Sequence, residues 1–159
     1  MFKRLFSDSF DTAALCTSRL FDNETFYGSF VRDLGHASHS IYIESPFITR
    51  KRMDMILPIF KQARRRGVQI TVNTRPPSEH DGSYINQAYE SVQDMQSIGI
   101  TVLYTVRHHR KIAIMDDHVL WEGSLNILSQ SDSCEMMRRS DSKVLVNHTR
   151  NFLNLRIGY

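Results

Sequence analysis

The side chains best suited to act on a phosphate ester lie close together in the second half of the chain. His109 and Lys111 are two residues apart, and Ser124 and Asn126 repeat that spacing. Residues two apart on a β-strand point to the same face, so each pair presents its side chains together. An imidazole can attack phosphorus, while an ammonium, a hydroxyl and an amide neutralise the charge that builds on the phosphoryl oxygens. This combination predicts phosphoryl chemistry that needs no metal ion and no cofactor.

A hairpin is predicted to bring the two pairs together. Residues 109–122 form two runs of strand-like sequence on either side of an Asp-Asp pair that begins at Asp116. If the two aspartates are the loop residues, Lys111 lies opposite Glu122, and the polar pairs meet at one end of the hairpin. Glu122 is then either a partner of Lys111 or an exposed charge at the strand end. Asp116 lies at the turn, away from the phosphate, and is expected to serve the turn itself.

These residues also carry a family resemblance. The pattern that matches is His109-x-Lys111-x4-Asp116-x6-Gly123-Ser124-x-Asn126. It agrees with the HKD signature of the phospholipase D superfamily in every defined position. The stretch from Trp121 to Gln130 is similar to the phospholipase D-like modules of DNA helicases and restriction systems, and the chain length resembles that of small nucleases with a single motif. The likeness spans most of residues 24–155 and does not cover the first 20.

The resemblance implies a role for each residue of the motif. His109 forms a covalent phosphohistidine, Lys111 binds the phosphate, and Ser124 and Asn126 complete the cradle for its oxygens. In these enzymes a carboxylate after the motif orients the histidine, and Glu135 is the matching candidate. Such a carboxylate fixes the ring tautomer and stabilises the positive charge that grows as the other ring nitrogen attacks.

The mechanism also predicts an oligomer. It needs one histidine to attack and a second to protonate the leaving oxygen, and only His109 has a lysine two residues later among the seven histidines. A two-fold symmetric homodimer with both copies of His109 in one shared active site meets this requirement.

Alternating strand and helix patterns predict a single α/β domain over residues 1–159, with a core at 24–155 and an uncertain segment at 1–20. Apolar residues at helical spacing predict helices near 24–35, 53–63 and 85–95, and strand patterns fall at 39–45, 68–72 and 100–104. Such an arrangement is largely parallel in its first half and gathers its loops at the carboxyl ends of the strands, where ligands bind. The resemblance implies a mixed β-sheet flanked by helices on both faces.

Basic residues near the predicted site favour an anionic partner. The net charge is only +3, but arginines and lysines form local runs, one of which contains Arg110. Arg75 and His80 lie in the predicted loop 74–82, where each is either a contact to a nucleic-acid backbone or a solvated loop residue. We expect Arg75, Arg110 and Glu122 as substrate contacts around the catalytic set. His108 should point to the opposite face and serve packing.

Composition excludes several other classes of protein. The two cysteines lack the spacing of metal ligands or of a disulfide scaffold, which favours a reducing compartment. Asp8 and Asp11 interrupt any apolar core of an export signal, and no apolar run is long enough to span a membrane. We therefore expect a cytoplasmic protein.

The predicted function is that of a metal-independent phosphodiesterase, a nuclease or endonuclease acting on DNA or other nucleic acid. Two alternatives remain open at this point. One is a lipid phosphodiesterase of the phospholipase D type. The other is a DNA-binding module of a larger helicase or restriction system with little activity of its own.

Overall fold

The computed structural model describes residues 17–129 and 132–155. The strands in this part of the chain are β1 (Arg19–Asp22), β2 (Ser40–Glu44), β3 (Gln69–Thr74), β4 (Thr101–Tyr104), β5 (Ile112–Met115), β6 (Val119–Gly123) and β7 (Met136–Asp141). The helices are α1 (Phe26–His36), α2 (Arg50–Arg65), α3 (Tyr84–Ser97) and α4 (Lys143–Phe152), with a short 3₁₀ turn at Pro77–Glu79.

The strands form one mixed sheet in the order β1-β7-β6-β5-β2-β3-β4. Strands β2, β3 and β4 run parallel to one another, and every other neighbouring pair is antiparallel. The parallel pairs are those joined by helical crossovers, because a parallel connection must return over the face of the sheet. The predicted α/β class is therefore confirmed, with its parallel half first.

Helices cover both faces of the sheet. On one face, apolar residues of α1, α2 and α3 pack with those of the strands into the main core, which includes Phe30, Phe60 and the fully buried Trp121. On the other face, Val146 of α4 packs with Tyr42, Ile114 and Leu120 in a smaller core. Alternate residues of β2 and β5 supply the two cores, as expected for strands buried on both sides.

The three helices predicted from apolar spacing are present, with shifted ends. Helix α1 begins at Phe26 rather than near residue 24. The Asp22 carboxylate accepts hydrogen bonds from the backbone N–H groups of Glu24 and Thr25 and turns the chain before the helix starts. Helix α2 ends before Gly67, whose φ of +87° lies in the left-handed region that favours glycine.

The register predicted for the β5–β6 hairpin is wrong by one residue. Met115 pairs with Val119, so the loop has three residues instead of two, and Asp116 takes a positive φ of +54°. Glu122 consequently lies opposite Ile112 and on the other face of the sheet from Lys111. The predicted pairing of Glu122 with Lys111 does not occur.

Asp116 ties this loop to the start of β2. Its carboxylate accepts hydrogen bonds from the backbone N–H groups of Ser38, His39 and Ser40 at 3.0, 2.7 and 3.0 Å. Burial alone would raise the pKa of Asp116, but these hydrogen bonds outweigh it and lower the pKa overall. The aspartate of the motif therefore has the structural role expected for it.

Candidate active site

The segments that carry His109, Lys111 and Ser124 lie at the end of the sheet where β2 and β3 end, opposite to the end that holds Asp116. Strand β5 runs antiparallel to β2, with Ile112 opposite Glu44, so the segment that leads into β5 lies at the carboxyl end of β2. The end of β6 lies at the same edge, because the backbone N–H of Gly123 donates to the carbonyl oxygen of Lys111 at 3.4 Å. Residues on both sides of the hairpin therefore converge there, although its register differs from the prediction.

His109 and Lys111 form a contact between an exposed imidazole and a buried ammonium. The Nζ of Lys111 lies 2.7 Å from Nδ1 of His109 and donates to the His109 carbonyl oxygen at 2.7 Å. A ring nitrogen can accept from an ammonium only when it is unprotonated, and an unprotonated ring nitrogen is also what a nucleophilic imidazole needs. The contact thus places a cation beside a potential nucleophile.

The ammonium of Lys111 is held in a costly position. Lys111 is only 8% exposed, and this burial lowers the pKa of its side chain. The negative charge of Glu135 acts in the opposite direction, whereas the positive charge of Arg75 adds to the lowering. An anion at this point would offset the cost of burying the ammonium.

Gly123 allows the two strands beside the motif to approach each other closely. A Cβ at this position would lie 2.1 Å from the carbonyl oxygen of Met136 and 2.9 Å from Cα of Met137. This approach lets Ser124 bond to β7 twice, with its N–H donating to the Met136 carbonyl at 3.0 Å and its Oγ accepting from the Met136 N–H at 3.1 Å. The hydroxyl of Ser124 is thereby fixed at the strand end.

Asn126 contributes an amide that the fold does not use fully. Its Oδ1 is buried and has no hydrogen-bond partner among the described residues. Buried polar groups are nearly always paired, and an unpaired one marks a position where a ligand or water completes the set. This oxygen is an acceptor, so the atom of Asn126 that can donate to a phosphoryl oxygen is the amide Nδ2.

Glu135 lies near Lys111 but does not orient His109 in this structure. Its charge raises the pKa of Lys111, and its Oε1 accepts a hydrogen bond from Ser133 Oγ at 2.9 Å. No hydrogen bond joins Glu135 to His109 among the bonds of residues 17–129 and 132–155. The orienting role implied by the resemblance stays a prediction.

Arg75 contacts the segment that carries His109. Its Nε donates to the carbonyl oxygen of His108 at 2.6 Å, and its Cζ lies 4.8 Å above the ring of Phe47. Glu79 approaches the same nitrogen at 3.9 Å. The guanidinium is only partly exposed and holds the chain immediately before His109.

Comparison with known proteins places this arrangement in a family. A family model described as "Cardiolipin synthase, PLD-like domain" matches residues 30–155. The chain belongs to the phospholipase D superfamily. Its motif residues thus lie at the edge of the sheet in a phosphodiesterase of that superfamily.

Solved structures share this phospholipase D fold. Nuc from Salmonella typhimurium, a phospholipase D family member, matches with a TM-score of 0.71 and 14% identity over 86% of this chain and 91% of that one. NucT from Helicobacter pylori matches with a TM-score of 0.66 and 17% identity over 89% and 98% of the two chains. TrmBL2, an archaeal chromatin protein with a novel mode of DNA binding, matches with a TM-score of 0.61 and 13% identity over 87% and 51%. No curated protein sequence matches the chain.

On the opposite face of this phospholipase D domain, Glu44 organises a buried polar cluster that the sequence pattern did not reveal. Glu44 is 1% exposed and accepts hydrogen bonds from the Tyr42 hydroxyl at 2.7 Å and from Asn73 Nδ2 at 3.3 Å. Arg110 bonds to both of its carboxylate oxygens, at 2.5 and 3.1 Å. Burial would raise the pKa of Glu44, but the bond to Arg110 leads the effects that lower it overall. The only signal in the sequence was a carboxylate at the end of an apolar strand.

This cluster bears on two residues near the motif. The charge of Arg110, a predicted substrate contact, is already matched inside the protein by Glu44. His108 is 3% exposed, and its Nε2 has no hydrogen-bond partner among the described residues. Burial lowers the pKa of His108, whereas the negative charge of Glu44 acts in the opposite direction. The burial of His108 agrees with the packing role predicted for it.

His80 closes the loop beside the site. The backbone N–H of Ile48 donates to its Nε2 at 3.1 Å, and its Nδ1 lies 3.4 Å from the carbonyl oxygen of Pro76. Both ring nitrogens are thus used within the protein, and burial lowers the pKa of His80. His80 is therefore packed within the loop.

Within residues 17–129 and 132–155, no group of three or more histidine, cysteine, aspartate and glutamate side chains is arranged to hold a metal ion. None of the helices in this part of the chain is both long enough and apolar enough to cross a bilayer.

Proposed function

We propose that this chain is a nuclease that hydrolyses phosphodiester bonds of DNA or other nucleic acid through a covalent phosphohistidine at His109. The observation that carries the proposal is the contact between the exposed His109 ring and the buried Lys111 ammonium. Together these groups offer a nucleophile and a cation for the phosphoryl oxygens. No part of the proposed reaction draws on a metal ion.

The reaction follows from the roles of these groups. An unprotonated ring nitrogen of His109 attacks phosphorus, so a P–N bond forms while the P–O bond to the leaving strand breaks. A second imidazolium gives its proton to the leaving oxygen. Lys111, Ser124 and Asn126 bind the phosphoryl oxygens as charge builds on them. Water then loses a proton to the second imidazole and attacks phosphorus, which breaks the P–N bond and releases a phosphate monoester.

The second imidazole is proposed to come from another copy of the chain. Only His109 stands in the motif. Of the other described histidines near the site, His80 uses both ring nitrogens within its loop, and His108 is only 3% exposed. A two-fold symmetric dimer with a shared active site places two copies of His109 on either side of one phosphate. Each copy then acts as a nucleophile toward one substrate orientation and as an acid toward the other.

Nucleic acid is the favoured substrate for reasons of charge and size. The net charge is positive, and exposed arginines and lysines surround the domain. The likeness in fold to a DNA-binding chromatin protein supports the same choice. Lipid is the second candidate, because the family description names cardiolipin synthase.

The test is a parallel assay of three substrates in excess EDTA. Plasmid DNA, a labelled oligonucleotide and a short-chain phospholipid are incubated with the pure protein and with His109→Asn. We expect hydrolysis of the nucleic acids by the unaltered protein alone. Hydrolysis of the phospholipid alone would show that the chain is a lipid phosphodiesterase. Binding of DNA without hydrolysis would show that it is a DNA-binding module. Loss of activity in EDTA that returns with magnesium would contradict the metal-free mechanism.

A further inference from the structure

A groove beside the catalytic residues has no part in the mechanism above. Its volume is about 360 Å³, within the range of cavities that hold small-molecule groups. The rings of Phe47, His80 and Tyr84 line it, together with the polar side chains of Lys51 and Gln87. Aromatic walls with a few polar groups suit a flat ligand that has hydrogen-bonding edges.

Two sets of contacts connect the groove to the segments that carry the proposed catalytic residues. Ser129 lines the groove and donates its backbone N–H to the carbonyl oxygen of Asn126 at 3.0 Å. On the other side, Phe47 lies below the guanidinium of Arg75, which binds the carbonyl of His108. The groove is thus joined by direct contacts to the segments that carry Asn126 and His109.

The aromatic walls are held in place before any ligand binds. The rings of Phe47 and His80 meet edge to face, with centroids 5.3 Å apart and planes at 89°. The hydrogen bonds of both His80 ring nitrogens fix that ring and keep it neutral. Tyr84, at the start of α3, is 49% exposed, so part of its side chain is open to solvent. Rigid aromatic surfaces of this kind bind a flat partner with little loss of side-chain freedom.

The charges of the groove favour a polar ligand over a hydrocarbon chain. Lys51 and Asp81 are exposed and line it together, so an acyl chain would remove both charges from water without pairing them. A nucleobase would present donors and acceptors to such groups. The ammonium of Lys51 also attracts the phosphates on either side of that base.

We propose that this groove holds an unpaired nucleobase of the strand being cut, stacked on Tyr84 and Phe47. The inference rests on the proposed nuclease function and specifies its substrate. Bases in a duplex are stacked on their neighbours, so their faces reach the groove only in single strands or in opened duplex. The enzyme therefore prefers single-stranded nucleic acid and senses the presence of a base near the scissile phosphate.

The experiment compares two single-stranded oligonucleotides, one normal and one with abasic sites throughout the cleaved region. Base stacking on an aromatic side chain contributes about 1–3 kcal/mol, so Tyr84→Ala should lower kcat/KM on the normal strand by about fivefold to about a hundredfold. The same variant should leave the abasic strand unaffected. Tyr84→Phe keeps the ring and should behave as the unaltered protein does.

The matched control is Tyr89→Ala. Tyr84 and Tyr89 are both 49% exposed and both lie on α3, but only Tyr84 lines the groove. Tyr89→Ala should change neither substrate. Hydrolysis of the abasic strand, which offers no base to the groove, should be equal in all these variants and reports that the chemistry and the fold are intact.

The possible results distinguish a failure of the base-binding proposal from a failure of the proposed nuclease function. If the normal strand is cut and Tyr84→Ala cuts it as well as the unaltered protein does, the groove is not a base site. If Tyr84→Ala impairs cleavage of a short-chain phospholipid instead, the groove binds acyl chains and the inference is wrong. If the unaltered protein hydrolyses bis(p-nitrophenyl) phosphate but neither strand, the nuclease proposal itself fails.

Discussion

The Nε of Arg75 donates to the carbonyl oxygen of His108 at 2.6 Å, one peptide unit before the proposed nucleophile. The guanidinium also stacks over Phe47, so its position is set from two sides. Arg75 was predicted as a contact to substrate, and that role is untested. The structure adds a second role, because the bond restrains the segment that carries His109.

Replacing Arg75 should therefore impair positioning more than binding. Arg75→Met keeps much of the side-chain length and removes the donor. Because small displacements of a reacting group are costly, we expect kcat to fall by about tenfold to about a hundredfold while KM changes little. Steady-state kinetics on a single-stranded oligonucleotide measure both constants. Arg107→Met, which removes an exposed charge from the same segment, is the control; an equal loss in both variants would point to charge alone.

His109 should form a covalent adduct with its substrate. Denaturing the protein in alkali during turnover should trap a label on the peptide that contains His109, because a phosphoramidate survives alkali and breaks in acid. His109→Asn should abolish both the label and hydrolysis, yet bind DNA. The control is His118→Asn, in an exposed turn away from the site. Turnover by His109→Asn would refute the assignment.

The pH–rate profile should fall in a second step at high pH, beyond the step set by the general-acid imidazolium, and this alkaline limb should report Lys111. Burial lowers the pKa of Lys111, so the ammonium should lose its proton, and activity should fall, at a pH below the ordinary range for lysine. Removing the negative charge in Glu135→Gln should move this limb to still lower pH, and removing the positive charge in Arg75→Met should move it up.

A neighbouring carboxylate supplies the comparison for this profile. Asp132→Asn removes an exposed charge from the same loop as Glu135 and should leave the limb where it is. The same pKa shift affects stability. Below the shifted pKa, the buried ammonium of Lys111 lowers the free energy of unfolding. This loss is relieved as the pH rises from the shifted pKa of the folded state toward the ordinary pKa of lysine. A limb that moves up in Glu135→Gln would contradict the proposed charge arrangement.

Gly123→Ala should destabilise the protein and disturb the site together. The new Cβ would meet the Met136 carbonyl oxygen at 2.1 Å, so β7 must move away from β6. Forcing an added carbon into a packed region costs about 1–3 kcal/mol, which urea unfolding would show as a lower free energy of unfolding. Gly35→Ala, in α1 with nothing within 4 Å of the new Cβ, should instead be neutral or stabilising. Equal stability of Gly123→Ala and the unaltered protein would contradict the close approach.

The protein should be a dimer in solution. Since a monomer of 18.5 kDa holds one motif histidine, light scattering should give a mass of about 37 kDa, twice that value. The mass should be unchanged in His109→Asn, because the substitution removes a catalytic ring and leaves the surface otherwise the same. A monomer that is fully active would overturn the shared-site mechanism.

The sequence by itself determined the family and the α/β class, and it supplied the candidate residues of the site. These depend on local patterns: the spacing of His109, Lys111, Ser124 and Asn126, the apolar stripes of the helices, and the short apolar runs of β2 and β3. Such patterns hold because side-chain direction repeats every two residues in a strand and about every 3.6 in a helix.

The register of the hairpin and the partners of its charged residues were decided only by the tertiary structure. The loop has three residues instead of two because the Asp116 carboxylate accepts hydrogen bonds from three backbone N–H groups at the start of β2, which is distant in sequence. The resulting change of register places Glu122 on the opposite face of the sheet from Lys111. Strands β1 and β7 carried too few apolar residues to reveal themselves, since each depends on pairing with a neighbour. Likewise, the bonds of Arg75 to His108 and of Arg110 to Glu44 join loops and strands that only the folded sheet brings together.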